Sequence, residues 1–285
     1  AYLQYKYAGL TAKGGRQIMT FDNHRFVGHV GWRQDRQTFD GLGLSYNISD
    51  VVQLDYAYID QRNRIFAEAK DVNSKDNLIN ASYKTGLGKL TGYAYLLEED
   101  KDIDNGIDTY GIRFSGDTKL AETKVLYTAE YAMQDTDEMG VSYSTNYLAL
   151  EAGAVFAGFT AKLGYELLGS DDGKYGFATP LATLHKFNGW SDQFLTTPTQ
   201  GLADIYASVS GKVAGATLTL AYHDFSADES SSTIDDFGSE IDAAYVMPLT
   251  KNYKVGLKYA SYFAGDSATN KVDTSKVWLW LNATF

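Results

Sequence analysis

Apolar and polar residues alternate with a period of two along almost the whole chain. Val52, Leu54, Tyr56 and Tyr58 share one parity, and Gln53, Asp55 and Ala57 the other. Tyr110, Ile112 and Phe114 oppose Gly111, Arg113 and Ser115. Ala161, Leu163 and Tyr165 oppose Lys162, Gly164 and Glu166, and Val255, Leu257 and Tyr259 oppose Lys254, Gly256 and Lys258. Side chains of a strand point alternately to its two faces, so this periodicity predicts β-strands with one apolar and one polar face. The boundaries fall at about fifteen strands: 2–8, 14–21, 36–47, 51–62, 77–85, 89–98, 107–116, 123–134, 143–155, 159–168, 202–212, 216–225, 237–247, 253–264 and 275–285. No stretch has convincing helical periodicity. None approaches the roughly 18 consecutive apolar residues that a membrane-spanning helix requires.

The connections alternate in length. Short ones lie near Gly9-Leu10, Ser49-Asp50, Gly86-Leu87-Gly88, Ala157-Gly158, Val213-Gly215 and Pro248-Lys251. Long ones cover 22–35, 63–76, 99–106, 135–142, 169–201, 226–236 and 265–274. A sandwich gives no reason for such a rule. A transmembrane antiparallel β-barrel does, because its periplasmic turns are short and its extracellular loops long. The expected fold is therefore all-β, one transmembrane barrel domain over 1–285, with the 169–201 segment as an ordered loop. The last strand carries Val277, Leu279, Leu281, Ala283 and Phe285 on one face. A terminal aromatic in that pattern resembles the signal read by the outer-membrane insertion machinery, and it puts the C-terminus in the periplasm. The first strand then also runs toward a short turn, so one or three further strands are expected before Ala1, giving sixteen or, preferably, eighteen.

Composition agrees. The 285 residues include 22 Tyr, 14 Phe, 27 Gly, three Pro and no Cys, suiting strands with aromatic girdles at the bilayer interfaces. Mean hydropathy is −0.29, as expected when lipid-facing and solvent-facing residues average out. The net charge of −11 argues against nucleic acid as a partner. The expected partners are outer-membrane lipids with lipopolysaccharide, the insertion machinery and a hydrophilic solute, in the outer membrane of a Gram-negative bacterium.

The polar faces supply candidate pore-lining residues. Lys6, Lys84, Arg113, Lys124, Lys162, Lys212, Lys254 and Lys258 share them with Asp55, Glu130, Glu151, Glu166, Asp204, Glu240 and Asp242. Charges on a pore wall set ion selectivity, whereas facing opposite charges pair and rigidify it. Arg16, Arg25, Arg33 and Arg36 bracket the first long loop. They would form a basic constriction if that loop folds inward, or anchor the loop to the wall. Connection 169–201 is too long for an ordinary turn. Phe177, Leu181, Leu184, Phe187, Trp190, Phe194 and Leu195, punctuated by Pro180 and Pro198, give it a packing set. The segment, with His185 and Asp192 among its polar members, is expected to narrow the lumen; the alternative is an external cap.

Acidic residues concentrate in other long connections: Glu98, Glu99, Asp100, Asp102, Asp104, Asp108, then Asp135, Asp137, Glu138, then Asp228, Glu229, Asp235, Asp236. The 100–106 stretch departs from the EF-hand template, so solvated charge is expected. The histidines at 24, 29, 185 and 223 lack metal-ligand spacing, and neither a GxSxG nor a phosphate-binding loop occurs. No catalytic residue, cofactor or metal is assigned. His223 near Ser226 is the only hint of an enzyme.

Several blocks resemble the alginate-export family of outer-membrane porins. They are Gly15-Arg16-Gln17, Asn23-His24-Arg25-Phe26-Val27-Gly28, Trp32-Arg33-Gln34, Thr179-Pro180-Leu181-Ala182-Thr183-Leu184-His185, Phe187-Asn188-Gly189-Trp190 and Tyr222-His223-Asp224-Phe225. The resemblance runs over nearly the whole chain. It implies a single-chain barrel, eighteen-stranded in the best-known member, which exports an anionic polysaccharide. The expected function is passive diffusion of small or oligomeric hydrophilic solutes, anionic saccharides among them. A non-conducting structural or adhesion barrel, plugged by the long loop, is the alternative.

Overall fold

A computed structural model of the chain describes residues 1–66, 68–101 and 105–284. Phe285, Asp102 and Asp104 lie outside them. Seventeen strands occur among the described residues: β1 (Tyr2–Tyr7), β2 (Leu10–Gln17), β3 (Thr38–Asn47), β4 (Val52–Asn63), β5 (Val72–Thr85), β6 (Gly88–Glu98), β7 (Asn105–Leu120), β8 (Thr123–Glu138), β9 (Val141–Phe156), β10 (Phe159–Leu168), β11 (Ser170–Asp171), β12 (Tyr175–Gly176), β13 (Leu202–Val213), β14 (Ala216–Ser226), β15 (Asp236–Pro248), β16 (Tyr253–Phe263) and β17 (Thr274–Ala283). Fifteen of them form one sheet in chain order; β11 and β12 make a separate two-residue ribbon inside the long connection. The fifteen strands of the alternation are thus present, each paired antiparallel where its register is defined.

Two expectations need correction. The second strand occupies 10–17, not 14–21. Ala8 and Gly9 both have positive φ, 43° and 83°, which makes them the two-residue hairpin turn. The chain then leaves the sheet after Gln17, and Met19 and Phe21, which prolong the alternation, belong to the loop. The 135–142 connection is not long either. β8 and β9 run on to a tight turn at Met139-Gly140, both with positive φ, 51° and 81°. Ser142 and Ser144 donate to Asp137 and Asp135 at 2.5 and 2.7 Å, so the acidic residues join strand partners instead of a loop.

The contacts divide the described chain into two units. The first comprises Ala1–Ser115, Glu130–Tyr147 and Phe177–Leu184. The second comprises Gly116–Ala129, Leu148–Gly176 and His185–Phe285. Each has the polarity of a soluble protein reversed. In the first, Leu42, Leu54, Ile79, Tyr110 and Ile112 are exposed, while Arg62, Asp76, Thr109, Arg113 and Glu130 are buried. In the second, Leu163, Ile205, Ile241 and Leu257 are exposed, with Leu279 at 75%, while Glu166, Asp204, Glu240 and Asp242 are buried. Water does not tolerate such a continuous apolar strand face, and hydrocarbon does. Buried charge survives because each polar face is covered by a segment that hydrogen-bonds to it.

Candidate functional site

In the first unit the cover is the connection 18–37 together with 177–184. Asp22 anchors it, accepting from Lys89 Nζ at 2.6 Å on β6 and from Asn80 Nδ2 at 3.0 Å on β5. Phe21 stacks on Tyr95 at 5.8 Å, and Phe26 lies 5.1–6.2 Å from Tyr93, Tyr95, Tyr147 and Phe177. These spacings are those of favourable ring pairs. Arg25 is buried, with its guanidinium 5.9 Å from the Tyr147 ring centroid. Behind this layer Arg113 pairs with Glu130, which also accepts from the Tyr93 hydroxyl at 2.9 Å. Arg62 holds Asp76 by two hydrogen bonds of 2.8 and 2.6 Å.

The two covering pieces are joined to one another by backbone. Gly28 donates to the Leu181 carbonyl at 2.8 Å, and Thr183 to that of His24 at 3.0 Å. The Gln37 amide donates to both Gly28 and Leu181 carbonyls at 3.0 and 3.1 Å. Gly28 has to be glycine, since a Cβ there would lie 2.2 Å from Thr183 Oγ1. Gln134 on β8 donates to the Ala178 carbonyl and accepts from its N–H, at 2.9 and 2.7 Å. Arg64 donates to the Pro180 carbonyl at 2.8 Å. Burial pulls the Arg64 guanidinium below its ordinary value.

In the second unit residues 185–194 lie on the polar face of β10 and β13–β17. Asn188 donates to Glu166 at 2.7 Å and Asp204 at 3.1 Å. Trp190 N–H reaches Asp242 at 3.2 Å, and Ser191 gives its N–H to Glu240 at 2.6 Å and its hydroxyl to the same carboxylate. Gly189, with φ +81°, permits the turn, because a Cβ would stand 2.5 Å from Glu240 Oε2. Lysines hold the other side. Lys258 lies 3.9 Å from the Trp190 ring centroid and 2.7 Å from His185 Nε2, whose Nδ1 shares a 2.6 Å hydrogen bond with Asp192. Lys276 donates to the Ser191 carbonyl. Lys271 donates to that of Gln193 at 2.8 Å and lies 4.4 Å from the Phe194 ring centroid. Burial lowers the Lys271 ammonium from its usual range. His223 bonds Asp204 at 3.0 Å on its own face of the sheet, whereas Ser226 lies three residues on and thus on the other face. Among the described residues no group of three or more His, Asp or Glu is arranged to hold a metal ion.

A family model for alginate export matches residues 1–170, more than half of the 285. The chain belongs to the alginate export family. Among curated proteins none matches significantly in sequence. Among solved structures, the alginate-export chain resembles the outer membrane protein OpdK of Pseudomonas aeruginosa, with a TM-score of 0.79 at 12% identity, over 99% of this chain and 78% of OpdK. OccAB4 of Acinetobacter baumannii gives 0.76 at 13%, over 99% and 73%. OccK2 of P. aeruginosa, solved in complex with glucuronate, gives 0.76 at 12%, over 100% and 81%. At such identities the likeness is one of fold, the fold of outer-membrane β-barrel porins. Family and fold together make this a porin-like channel of the bacterial outer membrane.

The candidates read from the sequence distribute unevenly over this family member. Arg113, Glu130, Glu166 and Lys258 lie in the covered faces described above. Glu151 pairs with Lys162 at 2.9 Å and accepts from the Tyr206 hydroxyl at 2.9 Å. Lys124 pairs with Asp117 at 3.2 Å, and Lys254 is exposed. The four arginines differ in setting. Arg16 is exposed and holds Asp40 by hydrogen bonds of 2.8 and 2.7 Å, Arg25 is buried, and Arg33 and Arg36 are exposed. Of the segment residues, Phe177 is buried beside Phe26, Pro180 accepts from Arg64, and Phe187 lies under Lys186 at 5.3 Å. Sequence reasoning missed Asp22, Gln134, Asn188, Ser191, Lys271 and Lys276 as anchors. The Asn188-Gly189 dipeptide was readable as a turn with positive φ, and Gln134 and Lys276 as polar-face positions of β8 and β17. The others are ordinary polar residues whose role comes from what faces them.

Proposed function

We propose that the channel conducts small or oligomeric hydrophilic solutes by passive diffusion, anionic saccharides among them, with its C-terminus in the periplasm. The carrying observation is how the covering segments are held. Carboxylates, lysines and backbone groups bind 18–37 and 177–194 to the polar strand faces, so these segments form shaped, charged walls. Such walls narrow a passage while leaving charge to select what enters. Exposed Arg33, Arg36 and Lys254 provide attraction for anions. The complex of OccK2 with glucuronate, an anionic sugar on the same fold, favours that solute class. Swelling of liposomes that contain the purified protein tests this reading. Glucuronate and its short oligomers are expected to equilibrate faster than through protein-free vesicles, and equal rates would overturn it.

A second reading is a non-conducting barrel. The ring cluster of Phe26, Tyr93, Tyr95, Tyr147 and Phe177 favours it, because the Phe26 ring centroid stands 5.1–6.2 Å from the other four, in contact with them. Vesicles that stay impermeable to ions as well as sugars would select this reading.

A further inference from the structure

The first unit contains a second polar hollow, apart from the anchors of its covering segment. Its floor is set by strand register. Thr11 pairs with Ser45 and Ser45 with Asp55; Lys13 pairs with Gly43 and Gly43 with Ala57. Residues two apart share a face, so these six form two adjacent rows across β2, β3 and β4. One row ends in a carboxylate and the other starts with an ammonium. At about 4.8 Å between strands and 3.4 Å per residue, the Lys13 and Asp55 Cα atoms are roughly 12 Å apart on the diagonal. Alanine at 57 is small, and glycine at 43 makes room for the buried Gln17 carboxamide, which lines the hollow and whose Oε1 would stand 3.1 Å from a Cβ there. Met19, Thr20 and Phe21 line it as the chain leaves β2, beside an open-mouthed hollow of about 300 Å³.

Neither Lys13 nor Asp55 forms an ion pair among the described residues. The Lys13 ammonium lies 5.2 Å from the Tyr2 ring centroid. The Gln53 amide donates to both Asp55 oxygens, at 3.0 and 2.9 Å, which orients the carboxylate and leaves it further acceptor capacity. Ser45, whose hydroxyl accepts from the same Gln53 amide at 3.3 Å, stands next to Asp55 in its row, with Thr11 beyond it.

We propose that this hollow is a binding site for a small zwitterionic solute, an amino acid or dipeptide, with its ammonium on Asp55 and its carboxylate on Lys13. An extended dipeptide is roughly 7 Å long, short enough to lie within the ~12 Å Cα diagonal with its ends toward the two charges. Its amide faces the Ser45 and Thr11 hydroxyls, and its small side chains face Met19 and Phe21. The proposal deepens the channel reading by adding a solute class, yet binding is measurable without conduction.

The test uses the full-length chain in detergent micelles, with diglycine as probe and saturation-transfer NMR as readout. Transfer to diglycine is expected for the wild type. Lys13→Gln and Asp55→Asn should each weaken binding at least about tenfold, a loss of ~1.4 kcal/mol. Heat-modifiable electrophoretic mobility establishes that both variants are folded. N-acetyldiglycine lacks the ammonium and diglycine amide lacks the carboxylate, so each should bind as weakly to the wild type as diglycine does to the variants. Absence of transfer to folded wild type at millimolar diglycine would overturn the site. So would equal binding of N-acetyldiglycine or glucuronate with no effect of Asp55→Asn, which would make it a simple anion site at Lys13. A protein that conducts but does not bind diglycine sinks this proposal alone. One that binds but does not conduct sinks only the channel.

Discussion

Glu130 shows what a buried charge contributes in this fold. It sits beneath the aromatic layer with Arg113 as ion partner and Tyr93 as hydrogen-bond donor. Removing one member of such a pair leaves the other uncompensated in a low-dielectric site, which typically costs about 3–5 kcal/mol. Glu130→Ala should therefore lower the temperature at which the folded band disappears in heat-modifiable electrophoresis. Adding Arg113→Met should recover most of the loss, and a double variant no better than the single would exclude charge as the cause. His29 makes a complementary case at the same scale. Partial burial in the 18–37 connection, and then the charge of Arg36, hold its imidazole below the ordinary 6.5. Its Nδ1 is buried without a hydrogen-bond partner among the described residues. Because the folded value is lowered, the stability tied to the neutral ring is present above about pH 6.5 and is lost as pH falls through the folded value. Hydrogen exchange of the 18–37 amides should thus speed up on acidification relative to the intrinsic rate. His29→Gln should remove that dependence.

The turn at Asn188-Gly189 decides where the second covering segment lies. A side chain at Gly189 meets both an unfavourable left-handed backbone and the Glu240 carboxylate. Together these cost of order 1–3 kcal/mol, so Gly189→Ala should lift residues 185–191 from the strand face. Trypsin cleavage after Lys186 is expected to rise about tenfold or more, with Trp190 fluorescence shifting to the red. Unchanged cleavage would mean that the lysine contacts alone hold the segment. The strands themselves were legible because lipid on one face and polar groups on the other impose a strict period of two. Covered polar faces preserve that alternation, so Arg113, Glu130 and Glu166 could be placed from parity. What failed to read did so for the same reason. Met19 and Phe21 continue the period beyond Gln17, although they serve a loop that turns onto the polar face. Asp135 and Asp137 look like loop charge, although serines across the hairpin satisfy them. Anchors such as Asp22 and Lys271 carry no periodic mark, because they lie in loops and their partners lie far along the chain.

At the scale of the molecule, the reversed polarity of both units is the feature that most constrains function. Apolar side chains on the exposed strand faces require hydrocarbon around them, and buried carboxylates require donors supplied by inserted segments. Membership of the alginate export family and the porin fold agree with that requirement. The central claim is that the covering segments narrow a conducting path instead of sealing it. Single-channel recording in planar lipid bilayers tests this most directly, on the wild type and on a variant lacking residues 177–195. The account predicts discrete openings from the wild type, with larger conductance after the deletion. No open current from either protein, both verified as folded and inserted, would contradict it.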